Sequence, residues 1–255
     1  NFLIFASDTI HMKILILSDH RGHTVNNSLY GMAKALARQP KIDSVVLADR
    51  ADQKNKLLFE GLQFDTIQVI TVDHQFNLGN LKAGQLPSVE AHILDFHVLF
   101  LRLAWPISKE LFRKLPSHFP NRTIVNDPQG ILMTSNKKYL FNFPDFTPDL
   151  KICQDWEHLL ELTRERAIVL KPLESYGGYG LSRIQDGIVS YNGKNMTLEA
   201  YRPVFNSMTE GWLAVPFLKN VNKGDKRIFV AGGKILFSSL RRPQSDGWLC
   251  NVAQG

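Results

Sequence analysis

The run Ile168-Val169-Leu170-Lys171-Pro172 constrains this chain most, because it closes an apolar, β-branched strand on a lysine and opens almost at once into glycines. Leu173-Glu174-Ser175-Tyr176-Gly177-Gly178-Tyr179-Gly180 follows, and Leu181-Ser182-Arg183-Ile184 leads away as a second run. Two strands flanking such a loop form a flap whose glycines let backbone N–H groups approach an anion closely. The lysine at the strand end is a compact charge suited to phosphate oxygens. No Gly-Lys-Ser/Thr follows, so this is not a Walker loop. No helix follows the glycines, so it is not a dinucleotide fingerprint either. A plain hairpin with a glycine turn satisfies the same letters, and context must decide.

At 255 residues the chain has room for more than one structural unit. Its 44% apolar and 21% charged content is that of a soluble globular protein. The longest apolar run, His97-Val98-Leu99-Phe100-Leu101, has buried-strand length, so no membrane partner is expected. Residues 1–11 lack a basic leader and read as an extension ahead of Met12-Lys13-Ile14-Leu15-Ile16-Leu17. Two cysteines, Cys153 and Cys250, build neither a disulfide framework nor a metal knuckle and suit a reducing cytoplasm. The net charge of +6 is scattered and accompanies no nucleic-acid module, so anionic small ligands account for it and no nucleic-acid partner is expected. Histidine pairs at His20/His23 and His92/His97 complete no zinc spacing. No nucleophile elbow is present. The oligomeric state stays open, with a homo-oligomer among the expected outcomes.

Strand patterns at Met12–Leu17, Ser44–Ala48, Thr66–Ile70 and Val98–Leu101 alternate with helical ones, first through Leu29, Met32, Ala33 and Leu36. That alternation implies a parallel sheet with helices on its faces, whose ligands bind beyond the strands' carboxyl ends. Asp19, His20, Asn26, Asn27 and Arg102 fall there. From Arg122 the pattern changes. Ile124-Val125 is a short strand, Pro128 starts a helix, and Trp156 to Arg166 is a helix with Trp156, Leu159, Leu160 and Leu162 on one face. Hairpin turns are expected at Asp186-Gly187, Asn192-Gly193 and Gly232-Gly233.

Three further segments stand in order with the flap: Ile124-Val125-Asn126-Asp127-Pro128 with Asn136-Lys137-Lys138-Tyr139-Leu140; Val215-Pro216-Phe217-Leu218; and Gly224-Asp225-Lys226-Arg227 before a hairpin. Together they resemble the ATP-grasp superfamily, and within it the bacterial glutathione synthetases, from about Met12 onward. The resemblance implies an α/β fold: a Rossmann-like N-terminal parallel-sheet domain over residues 12–120, then an α+β ATP-grasp region over 121–255. The lid would span about 145–215, and the region would be incomplete at the C-terminus. It implies an ATP-dependent carboxylate–amine ligase acting through an acyl phosphate, with ATP and Mg²⁺ as cofactors and a small-molecule carboxylate and amine as substrates. Rival readings are a ligase of the same fold with another amino acid or peptide, a non-catalytic nucleotide-binding module, and a basic nucleic-acid binder.

By the same resemblance Lys138 and Lys171 hold the α- and β-phosphates, and Gly177 and Gly178 belong to the closing flap. Val215, Phe217 and Leu218 face the adenine, and Asp225 is a candidate for the ribose. Arg227 and Arg242 lie near the γ-phosphate and the reacting carboxylate, where a planar, permanently charged fork suits the oxygens. Asp19, Arg102 and Asn251 fall on substrate-binding positions. Two segments depart from the family pattern. Leu249 stands at the place of a loop arginine, and Arg102-Leu103-Ala104-Trp105-Pro106 replaces Arg-x-Asp-Pro-Pro. Both touch substrate rather than nucleotide, so the resemblance supports ATP more firmly than any particular acid. The family's metal ligands match no position up to Gly255, which implies ligands further on and a chain inactive in this form.

Overall fold

The computed structural model describes residues 11–243 and 247–250, and the chain divides into two compact units, 1–133 and 134–255.

In the first unit β1 (Met12–Ser18), α1 (Ser28–Ala37), β2 (Ile42–Asp49), α2 (Lys56–Phe59), β3 (Thr66–Thr71), α3 (Leu78–Lys82), β4 (Ser88–His92), β5 (Val98–Arg102), α4 (Lys109–His118), β6 (Thr123–Val125) and α5 (Pro128–Thr134) follow in order. The strands form one sheet of order β4-β3-β2-β1-β5-β6. Strands β2, β1, β5 and β6 run parallel, as the alternating pattern predicts. The far edge corrects that reading, because β3 runs antiparallel to β2, and β4 antiparallel to β3. The reason is helix length. A parallel return needs a crossover as long as the strand, about 20 Å for six residues. The single turn of α2 rises only about 6 Å. Chain leaving β2 therefore re-enters from the same end, and the Asn55 side chain pins the step by donating to Asp49 O and Gln68 O while accepting from Gln68 N–H.

Strand parity sorts the core. Leu15 and Leu17 point to the face covered by Leu111, Phe112 and Leu115 of α4. Ile14 and Ile16 point to the opposite face, against Leu29, Tyr30 and Ala33 of α1. Each fully buried Leu or Ile contributes about 1.5–3 kcal/mol relative to exposure. Strand β6 pairs with β5, and Ile131 and Leu132 pack on the α4-side core. The first unit thus extends to Met133, past the boundary near residue 120 expected from sequence.

The second unit contains β7 (Lys151–Cys153), α6 (Trp156–Glu165), β8 (Ile168–Pro172), β9 (Ser182–Gln185), β10 (Ile188–Tyr191), β11 (Lys194–Thr197), α7 (Leu198–Asn206), β12 (Trp212–Pro216), β13 (Asp225–Ala231) and β14 (Lys234–Arg241). Its main sheet has the order β11-β10-β9-β8-β12-β7, antiparallel throughout. Strands β8 and β9 are the two sides of the expected flap. The turns at Asp186-Gly187, Asn192-Gly193 and Gly232-Gly233 all take positive φ. Helices α6 and α7 were capped by legible residues, Asp155 and Thr197, whose side chains accept from His158 N–H and Ala200 N–H.

Gly61 offers a test of the first unit. It has φ +74°, and a Cβ there would stand 2.7 Å from Leu111 N. Gly61→Ala should destabilise the protein by about 2 kcal/mol or more, combining left-handed strain with a backbone clash. An unchanged urea midpoint would contradict the packing of this turn on α4.

Candidate functional site

The site in the second unit follows from the two faces of its sheet. Ile168 and Leu170 of β8, with Trp212 and Ala214 of β12, turn toward α6 and α7, where they join Trp156, Leu159, Tyr201 and Phe205. Alternation sends Val169, Leu213 and Val215 to the other face, with Leu173 and Phe217. Among the described residues no helix covers that face. It lines a pocket of about 480 Å³, walled by Val169, Val215, Pro216 and Phe217 on one side and by Asn220, Gly224, Asp225 and Trp248 on another.

Lys171 has the same parity as Val169 and opens into this pocket. Burial pushes its ammonium below the usual lysine range. Among the described residues it has no acceptor within hydrogen-bonding distance. A half-buried cation without an acceptor in an apolar wall is costly unless an anion arrives. Beyond it, Gly177, Gly178 and Gly180 take φ of 65°, 79° and 74°. At Gly180 a Cβ would stand 2.8 Å from Pro172 Cγ, so the loop folds tightly over the strand end.

The hinge after β12 presents backbone to the pocket. Pro216 lacks an N–H, and Phe217 N–H donates to Ala167 O at 2.9 Å. Phe217 C=O and Leu218 N–H take no partner among the described residues. They are the two ends of one trans peptide and point in opposite directions, so one of them at most faces a given ligand edge. Arg183 lies 4.0 Å over the Phe217 ring, and Trp248 meets the same ring edge-on at 6.2 Å.

Lysines 137 and 138 divide their work. Lys137 Nζ donates to Pro172 O at 2.6 Å, Ser175 O at 2.7 Å and Ser175 Oγ at 3.1 Å. Burial first, and Lys171 second, bring its pKa down to about 8, against the pull of Glu174. Lys138 is exposed on the same turn, its N–H held by Asn136 Oδ1.

The structure thus brings Lys171, Val215, Phe217, Leu218 and Asp225 to one pocket, with Gly177 and Gly178 in the loop at its edge. Asp225 carries Arg241 on both carboxylate oxygens. Arg227 is exposed on β13 with its guanidinium 5.3 Å over the Phe229 ring, and Arg242 is exposed after β14. Neither lines the pocket. Asn251 lies outside the described residues. Sequence reasoning missed Lys137, Arg183 and Trp248. The Lys-Lys doublet and the β8/β9 register were the available signals for the first two. Among the described residues no group of three His, Cys, Asp or Glu side chains could hold a metal ion.

In the first unit Asp19 caps β1 and is 5% exposed. It accepts from Arg21 Nε at 2.8 Å and Nη2 at 2.6 Å, and from Arg50 Nε at 2.7 Å. Arg21 and then Arg50 hold the carboxyl far below its usual range, against desolvation. Arg50 in turn donates to Ala104 O at 3.1 Å and to Pro106 O. Asp19 therefore fixes the 102–106 loop through Arg50. Arg102 is exposed at the end of β5, its guanidinium 3.3 Å from Ser28 Oγ.

Residues 136–255 match the family model described as prokaryotic glutathione synthetase, ATP-grasp domain. A glutathione synthetase of Brucella melitensis is 32% identical over 139 residues, covering 53% of this chain and 42% of that protein. One of Bradyrhizobium diazoefficiens is 27% identical over 195 residues, covering 74% of this chain and 59% of that protein. The chain therefore spans about half the length of these curated relatives. The solved RimK domain ATP-grasp protein of Sphaerobacter thermophilus aligns with a TM-score of 0.53 at 16% identity, over 90% of this chain and 72% of that one. At that identity the likeness is one of fold.

Asp19→Ala should destabilise the first unit by about 3–5 kcal/mol at pH 7, the cost of leaving Arg50 without its carboxylate. The depressed carboxyl contributes above the ordinary carboxylate pKa of about 4 and loses that contribution as pH falls below it. The gap between wild type and variant should therefore begin to narrow below about pH 4. Urea unfolding followed from pH 7 down to pH 3 checks both, and a gap that widens in acid would reverse the assignment.

Proposed function

We propose that this ATP-grasp protein, similar to glutathione synthetase, is an ATP-dependent carboxylate–amine ligase. The observation that carries the reading is Lys171, a half-buried cation with no acceptor among the described residues, opening into an apolar pocket beside a glycine loop. Val169, Val215 and Phe217 offer apolar walls to a base. The unpaired peptide group between Phe217 and Leu218 offers the base one backbone hydrogen bond, from whichever end faces the pocket.

In the proposed reaction a substrate carboxylate oxygen attacks the γ-phosphorus of ATP, ADP leaves, and an acyl phosphate forms. An amine then attacks the acyl carbon, inorganic phosphate departs with the bonding pair, and the amine loses a proton to give the amide. The protein's share is positioning and charge compensation. Lys171 and Lys138 take the α- and β-phosphates, and Gly177 and Gly178 close over them. Arg227 and Arg242 are assigned to the transferring group and the reacting carboxylate, Arg102 and Asn251 to substrate. Asp19 serves substrate at one remove, by holding the 102–106 loop. The described residues do not by themselves fit a metal ion. The magnesium that accompanies ATP would take protein ligands outside them, and no step is derived through it. Among the described residues no helix is long and apolar enough to cross a membrane. We place the reaction in the cytoplasm, where ATP and free cysteines are compatible.

Leu249 favours a second reading of the substrate. It lines the pocket as an apolar side chain where the related synthetases carry an arginine. The acid is then another amino acid or short peptide, with the ATP chemistry unchanged.

Lys171→Ala should weaken ATP binding by about 2–5 kcal/mol, the cost of removing one partner of a desolvated charge pair. Adenosine affinity should stay the same. Calorimetry on both ligands checks it, and full ATP affinity in the variant would sink the assignment.

A further inference from the structure

Lys137 is bound on all three of its ammonium donors, and every acceptor belongs to the root of the flap. Its backbone N–H adds a bond to Leu173 O at 2.9 Å. On either side, Tyr176 Oη donates to Ser135 O at 3.2 Å, and Asn136 Nδ2 lies 3.4 Å from Glu174 Oε1. Residues 135–137 and 172–176 are thereby stapled edge to edge. The next residue along, Lys138, is exposed and carries no such bonds among the described residues. Lys171 is the penultimate residue of the strand from which the stapled root departs.

We propose that Lys137 is a positioning residue for nucleotide binding: by clasping Pro172 and Ser175 it holds the turn bearing Lys138 against the strand end bearing Lys171, so that the two lysines present one phosphate site. The inference rests on the nucleotide reading above and adds a residue to which that reading gives no role. Physically, a lysine saturated by three oxygens cannot also coordinate phosphate, because its donors are spent. It can remove the entropy of placing a neighbour. The turn at 137–142 makes no strand pairing, so without the side-chain clasp its register to β8 rests on the Lys137 N–H bond to Leu173 O and on the bonds at Tyr176 and Asn136. Charge-assisted bonds to carbonyls are roughly twice as strong as neutral ones. Lowering of the Lys137 pKa by burial and by Lys171 accords with an ammonium enclosed beside a second cation.

The experiment measures ATP and adenosine affinity by calorimetry for wild type, Lys137→Met, Lys138→Ala and the double variant of the whole chain. Lys137→Met should weaken ATP by about tenfold and leave adenosine within about twofold, since adenosine has no phosphate to lose. On the Lys138→Ala background the same substitution should cost no more than about twofold further, because residues acting through one contact are non-additive. Equal weakening of ATP and adenosine would mean a merely structural lysine and would overturn the proposal. So would a full, additive tenfold loss on the Lys138→Ala background. If Lys137→Met does not fold, Lys137→Gln keeps a donor without the charge, and the same pattern is required of it. ATP binding by wild type with an unaffected Lys137 variant would overturn the clasp alone. No ATP binding by wild type would overturn both the clasp and the reading beneath it.

Discussion

The alternation of β8 against β12 is the constraint on which the second unit depends. Because side chains on a strand alternate, a run such as Ile168-Val169-Leu170-Lys171 must divide between two faces. Ile168 and Leu170 enter the core under α6 and α7, where Trp212, Tyr201 and Phe205 supply the large buried rings. Val169 and Lys171 are then committed to the opposite face. A one-residue slip would bury the ammonium among those rings and expose Leu170, at a cost far above any alternative pairing. Register, core and pocket are thus one decision, and the apolar half of the strand holds the charged half in place.

The lysines show how environment divides one residue type among roles. Lys171 has apolar walls and no acceptor among the described residues, so its charge is available to a ligand. Lys137, with its acceptors filled, is a structural link. Lys138 is exposed in its side chain, and its backbone N–H is held by Asn136 Oδ1. Lys137 and Lys138 are adjacent in sequence, yet their hydrogen-bond partners differ. Residue type sets what a lysine can do, while partners set what it does.

Contact and support are separate in the first unit as well. Asp19 occupies the strand end where ligands of open α/β sheets gather. Its oxygens are taken by Arg21 and Arg50, and Arg50 passes the constraint to the carbonyls of Ala104 and Pro106. A carboxylate so engaged is a brace. The residues it braces lie in the loop that also carries exposed Arg102 and Trp105.

Much of this was determined by sequence alone. Periodicity placed β1, β2, β3, β5, α1 and α6, and glycine pairs located the turns, since those signals depend on neighbours within a few residues. The order of the flap, hinge and Gly-Asp-Lys-Arg segments identified the ATP-grasp likeness for the same reason. Tertiary structure alone decided the direction of β3, because the shortness of α2 matters only against the length of the strand it would have to retrace. It alone decided that Lys137, not its neighbour, grips the flap, that Asp225 pairs with Arg241, and that Asp19 is spent on arginines. Arg21 aside, two residues from Asp19, these partners lie 16 to 38 residues apart and leave no local pattern, because a hydrogen bond depends on distance in space and a one-dimensional spacing does not encode it.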